Sequence, residues 1–172
     1  MIVLPKALQI SLAPAAALFR LERPVGAFRV LKVVLVEDDC DIREVLTLAL
    51  RLDREIDVIS YASGEEALDD IKVRRILFDV ALLDYRLSGM TGIELHQELR
   101  ELPWLSQLVT VIITANVGRE YIALFEGHGV AGLITKPFNV FEVAREVRAL
   151  TQPHRPGNVA IRWLHDQVRK FM

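Results

Sequence analysis

A chain of 172 residues, 52% hydrophobic and 26% charged, is long enough for one good core but hardly for two full domains. Its formal net charge of −2 hides a split: Lys6, Arg20, Arg23 and Arg29 against Glu22 give residues 1–30 a net +3, Arg155, Arg162, Arg169 and Lys170 against Asp166 give residues 153–172 another +3, and residues 31–152 carry −8. An acidic domain between mildly basic ends argues against nucleic-acid binding by the domain itself, and a single cysteine, Cys40, excludes an internal disulfide and is compatible with a reducing compartment.

Residues 7–19 are mostly apolar and follow Lys6, but Pro5 and Pro14 interrupt the stretch and it is too short to span a bilayer. Residues 1–29 are therefore expected to be a flexible extension, or the product of a start site placed too early, with no transmembrane segment anywhere in the chain. From Leu31 the pattern alternates strand and helix. Residues 32–36 form the first strand. A helix over 41–52 carries Ile42, Val45, Leu46, Ala49 and Leu50 on one stripe. Asp39 is expected to cap that helix, and Cys40 to be a half-buried filler beside the acidic residues. Residues 57–61 are a short second strand, and Ser63 with Glu66 matches a capping box opening a helix that runs to 73. The third strand covers 78–83. A helix over 92–102 follows and stops at Pro103. A fourth strand at 109–113, a polar helix at 118–127, a fifth strand at 131–135 and a helix at 140–150 complete five β/α units. Short connections between them imply a parallel sheet with helices on both faces: an α/β, doubly wound, flavodoxin-like (β/α)5 fold with strand order 2-1-3-4-5.

Open α/β sheets keep their chemistry at the carboxyl ends of the strands. There the first strand delivers Glu37, Asp38 and Asp39, the third Asp84, the fourth Thr114 and the fifth Lys136. An acidic cluster, one hydroxyl and one ammonium group read together as a metal-assisted, phosphoryl-accepting site. Taken singly, each is an ordinary strand-end residue. Met90 and Gly92 read as parts of the loop, and His96, His128, His154 and His165 as surface residues without metal-site spacing.

The motif set resembles the receiver domain of two-component response regulators over residues 30–152, as a single-domain, chemotaxis-regulator-like chain. Glu37 and Asp38 after strand one, Asp84 after strand three, Thr114 and Ala115 after strand four, and Lys136, Pro137 and Phe138 after strand five carry the likeness. The resemblance implies Asp84 as phosphoacceptor and a Mg²⁺ ion held by Asp38, Asp84, the main-chain carbonyl of Arg86 and, through water, Glu37. It implies Thr114 and Lys136 as phosphoryl contacts and a sensor histidine kinase or histidine phosphotransfer protein as donor. It further implies a cytoplasmic signalling protein rather than an enzyme in the ordinary sense, though one able to catalyse its own phosphorylation and dephosphorylation. Two positions depart from the family: Ser88 stands where proline is frequent, and Leu133 where many receivers place a tyrosine or phenylalanine that swings inward on activation.

Two other readings stay open. A degenerate receiver would bind partners without phosphorylation. A haloacid-dehalogenase-type phosphatase shares a strand-end aspartate, Mg²⁺, a hydroxyl and a lysine, but its usual second aspartate two residues after the nucleophile is Arg86 here. Residues 153–172 read as a linker and a short amphipathic helix with Val159, Trp163, Val168 and Phe171 on one face, too short for a helix-turn-helix or catalytic output domain. Output is therefore expected through protein contacts, with a piece of a longer regulator or hybrid kinase as the alternative. The downstream protein is unknown. The fourth helix, fifth strand and fifth helix, with Arg119, Tyr121, Glu126, Glu142 and Arg145, are the expected partner or homodimer surface, with no direct nucleic-acid or membrane contact.

Overall fold

Long apolar runs need cover on both faces, and the computed structural model, which describes residues 30–115 and 118–151, provides it. Strands β1 (Leu31–Val36), β2 (Ile56–Tyr61), β3 (Val80–Asp84), β4 (Val109–Thr114) and β5 (Gly132–Thr135) form one parallel sheet in the order β2-β1-β3-β4-β5. Every residue of β3, the central strand, is buried, which is why its sequence shows no polar alternation before Asp84.

The alternation of side chains divides the core in two. Val34, Val36, Ala81, Leu83, Ile112 and Leu133 point to one face, covered by α2 (Gly64–Arg74), α3 (Gly92–Arg100) and α4 (Arg119–Gly127) through Ala67, Ile71, Ile93, Leu95, Leu99 and Phe125. Val33, Leu35, Val80, Leu82, Val111, Ile113 and Ile134 point to the other. There α1 (Cys40–Arg51) and α5 (Val143–Thr151) supply Leu46, Ala49, Leu50, Val143, Val147 and Leu150. Register is in step across the sheet, with Val36 beside Leu83 and Asp84 beside Ile113, so the carboxyl ends of β1, β3, β4 and β5 finish along one edge.

Several sequence expectations need correction. Val45 is exposed rather than on the buried stripe of α1, because the helix turns Leu46, Ala49 and Leu50 inward and leaves Val45 a step around the barrel of the helix. Cys40 is exposed, not half-buried. Asp39 does cap α1, its side chain accepting from the amides of Asp41 and Ile42 at 3.0 Å each. The Ser63 box is only half formed: Ser63 Oγ accepts from the Glu66 amide, but Glu66 reaches back to the Ala62 amide instead of that of Ser63. A complete capping box stands at Thr91 and Glu94, opening α3. The last helix starts at Val143, since the Asn139 side chain and carbonyl take the amides of Phe141 and Glu142 in a preceding turn.

His96 is the largest departure. It is 1% exposed, with Nδ1 2.8 Å from Thr110 Oγ1 and Nε2 2.9 Å from the His128 carbonyl oxygen. A carbonyl can only accept, so Nε2 carries the proton and Nδ1 accepts from the Thr110 hydroxyl. His128 is half-buried at the end of α4. The expectations for His154, His165, residues 1–29 and the helix beyond residue 153 fall outside the described residues.

Candidate functional site

Four strand ends build the site. Glu37 follows β1 and is 1% exposed, Asp84 ends β3 at 8%, and Thr114 ends β4 at 2%. Lys136 follows β5 and reaches back across the edge. Its ammonium lies 2.8 Å from Glu37 Oε2 and 3.2 Å from Asp84 Oδ1. The Lys136 amide also donates to the Thr114 carbonyl at 2.8 Å, so the ends of β4 and β5 are joined at the site itself. The Lys136–Pro137 peptide bond is cis.

Glu37, Asp38 and Asp84 each bring a carboxylate oxygen to within 4.8 Å of the others. One ammonium cannot balance three carboxylates, and the ionisation of the groups reflects this. Burial pushes the Glu37 carboxyl up, with the Asp84 charge adding to the rise and Lys136 opposing it. Burial likewise raises Asp84 against the pull of Lys136. Asp38 moves the other way: its hydrogen bond from the Ser88 hydroxyl holds it below the usual carboxylate range. An all-oxygen donor set with excess negative charge fits a hard divalent cation such as Mg²⁺ and not a thiolate- or imidazole-seeking metal. The surface trio Asp39, Cys40 and Asp41 also converges, but Asp39 Oδ1 is taken by the α1 cap and the Cys40 thiol by Asp41.

The turn between β3 and α3 is tightly closed. Tyr85 donates its amide to Ile113 and accepts from Gly92, and Arg86 bridges to Thr91. A Cβ on Gly92 would collide with the Asp84 carbonyl oxygen, so glycine is required there by close approach of two backbones. Gly89 has φ +93°, a conformation L side chains rarely adopt. The Arg86 side chain is exposed. Leu133 is buried at 2%; the aromatic rings near the site are instead Tyr85, immediately after Asp84, packed edge-on against Tyr121 and Phe125 of α4 with centroids at 5.5 and 5.3 Å.

Two contributors were missed in the sequence. The Arg43 guanidinium on the first turn of α1 donates to the carbonyls of Glu37 at 2.7 Å and Asp38 at 3.2 Å. Its only sequence signal is a cation one turn beyond an acidic loop. Ser88 donates both its amide, at 3.0 Å, and its hydroxyl, at 2.6 Å, to Asp38 Oδ2. The sequence marked that position only as the absence of a proline.

Among known proteins, the chain is 30% identical over 128 residues to the phosphate regulon transcriptional regulatory protein PhoB of Rhizobium meliloti, covering 73% of this chain and 54% of that one. It is 30% identical over 112 residues to the chemotaxis protein CheY-3 of Vibrio cholerae, covering 63% and 82%. The chain thus spans about half the length of PhoB but most of CheY-3. The signal receiver domain of NarL from Mycobacterium tuberculosis superposes with a TM-score of 0.65 at 28% identity, covering 73% of this chain and 99% of that domain. CheY4 of Vibrio cholerae does so with a TM-score of 0.63 at 26% identity, covering 70% and 98%. Residues 33–148, from the first buried valine of β1 into α5, match the response regulator receiver domain, and with that sheet order and those four strand ends the chain belongs to the response regulator receiver domain family.

Proposed function

We propose that the chain is a phosphorelay response regulator that accepts a phosphoryl group from a histidine kinase or histidine phosphotransfer protein on Asp84, with Mg²⁺, and signals through protein contacts. The observation that carries the reading is the convergence of Glu37, Asp38 and Asp84 within 4.8 Å with the Lys136 ammonium 3.2 Å from Asp84 Oδ1. Asp38, Asp84, the Arg86 carbonyl and, through water, Glu37 would hold the ion. Bound there, the ion supplies positive charge that lets an anionic carboxylate approach an anionic phosphoryl group.

A carboxylate oxygen of Asp84 attacks phosphorus in line with the donor. The O–P bond forms as the donor N–P bond breaks, and its electron pair returns to the donor imidazole. Lys136, a compact point charge, offsets the charge on Asp84 and on the incoming oxygens. Thr114 donates its hydroxyl to the attached phosphoryl group and so reports the modification to β4 and, through the bond to Lys136, to β5. Loss of the group by attack of water is promoted by the same residues. In this reading the receiver unit is residues 30–152, with residues 1–29 and 153–172 as appended segments, and it works in the cytoplasm. Output contacts, or a homodimer, run through α4, β5 and α5.

The test is intact mass after incubation with Mg²⁺ and a small phosphodonor such as acetyl phosphate. A gain of one phosphoryl group in wild type, absent in Asp84→Asn and after chelation, is expected. No gain in folded wild type, even with a histidine-kinase donor, would sink the reading.

A further inference from the structure

Asp38 and Ser88 are 50 residues apart and belong to the ends of different strands, yet Ser88 places two donors on one oxygen of Asp38. The amide at 3.0 Å and the hydroxyl at 2.6 Å come from a single residue and therefore define a direction as well as a distance. Their carrier is rigid. The loop holding Ser88 is pinned by the Gly92-to-Tyr85 bond, the Arg86 and Thr91 bridge, the Thr91–Glu94 capping box and the left-handed Gly89. Among the described residues, Asp38 has no cation of its own: Lys136 pairs with Glu37 and Asp84, and the Arg43 guanidinium meets Asp38 at its carbonyl and not at its carboxylate. Like charges on Glu37 and Asp84 would drive an untethered Asp38 side chain outward into water. A proline at position 88 would offer neither an amide nor a hydroxyl.

We propose that Ser88 is a positioning residue, holding the Asp38 carboxylate turned into the acidic cluster so that the cation-binding set is assembled before the cation arrives. The inference rests on the function proposed above. It assigns to this chain's own serine a share of divalent-cation affinity that comes from orientation and not from coordination. A charge-assisted bond at a half-exposed site is replaced in part by water when removed, so the affinity loss expected is about three- to tenfold.

The experiment is calorimetric titration of Mg²⁺ into the full chain for wild type, Ser88→Ala and Ser88→Thr, with melting temperatures of each in chelator. Ser88→Ala should bind Mg²⁺ about three- to tenfold more weakly, Ser88→Thr should return to within about twofold of wild type because it keeps both donors, and all three should melt alike in chelator. Equal Mg²⁺ affinity in wild type and Ser88→Ala would overturn the proposal while leaving the phosphorelay reading standing. So would a parallel loss of affinity and chelated-state stability, which assigns Ser88 a merely structural role, or failure of threonine to restore binding. Absence of Mg²⁺ binding by wild type would remove the phosphorelay reading itself.

Discussion

Glu37 and Asp84 are carboxylates whose burial costs more than Lys136 returns, so both bind protons more readily in the folded chain than in the unfolded one. A carboxylate raised in this way contributes stability that is fully present below its unfolded value, near 3.8 for Asp84, and is lost as pH rises through its folded value. At neutral pH the cation-free cluster is therefore a burden on the fold. Asp84→Asn, which removes one of the charges and keeps the shape, should melt at or above wild type in chelator, and calorimetric scans at pH 7 check this. His96 has the opposite sign. Burial pushes its pKa below the ordinary 6.5, with the charges of Arg100 and His128 adding to the depression and the hydrogen bond to the His128 carbonyl opposing it. Its contribution is fully present above pH 6.5 and is lost as pH falls from there toward its folded value. Between pH 7.5 and 5.5 the melting temperature of wild type should fall relative to that of His96→Gln, whose amide has a donor and an acceptor but no proton to gain, the carboxylate contribution being common to both. His96→Leu strands the Thr110 hydroxyl and the His128 carbonyl and should cost about 2–3 kcal/mol in denaturant titrations.

Among the elements, α3 depends most on its first turn. Thr91 accepts from the Glu94 amide while Glu94 accepts from the Thr91 amide, and the same nine-residue helix carries Ile93, Leu95 and Leu99 into the core. Thr91→Ala should cost about 1 kcal/mol by urea unfolding; a phosphoryl-acceptance defect larger than that loss explains would point to the loop geometry behind Asp84. Strands β1, β3, β4 and β5 were legible from their mostly apolar runs, because the inner part of a parallel sheet is covered on both faces, whereas the edge strand β2 mixes buried and exposed positions. Helix ends were less so. The box at Ser63 is satisfied one residue out of register, and the turn at Asn139 displaces the start of α5 by three residues from the expected 140; both depend on side-chain hydrogen bonds within a few positions that residue type alone does not choose between. Position 133 shows the value of reading a departure. Its leucine packs in the core, and the rings beside the site come from Tyr85 and α4, an arrangement that only the crossing of β3 and α4 creates.

At the scale of the molecule, residues 31–152 carry −8, and within them three carboxylates meet beside one ammonium. Binding of a cation to the folded chain alone stabilises it by about 2.7 kcal/mol at a concentration one hundred times Kd, so Mg²⁺ should raise the melting temperature of wild type and leave that of Asp84→Asn nearly unchanged, as a thermal-shift series would show. The four strand-end residues of the site were visible in the sequence because the sheet order brings them together by topology. Arg43, Ser88 and His96 were not, since each acts on a backbone group or a side chain from a different part of the chain. Among the described residues, no helix is long and apolar enough to cross a membrane.

The exposure of Cys40 has a practical side. The chain's one thiol opens α1 two residues beyond Asp38 and donates to Asp41 Oδ1 at 3.4 Å, a bond that raises its pKa. The thiolate is the form that attacks an alkylating reagent, so labelling should be slow at neutral pH and quicken in mildly alkaline buffer. An environment-sensitive dye attached there needs no engineered cysteine and sits beside the acidic loop, where it can register the arrival of a cation or a phosphoryl group in real time.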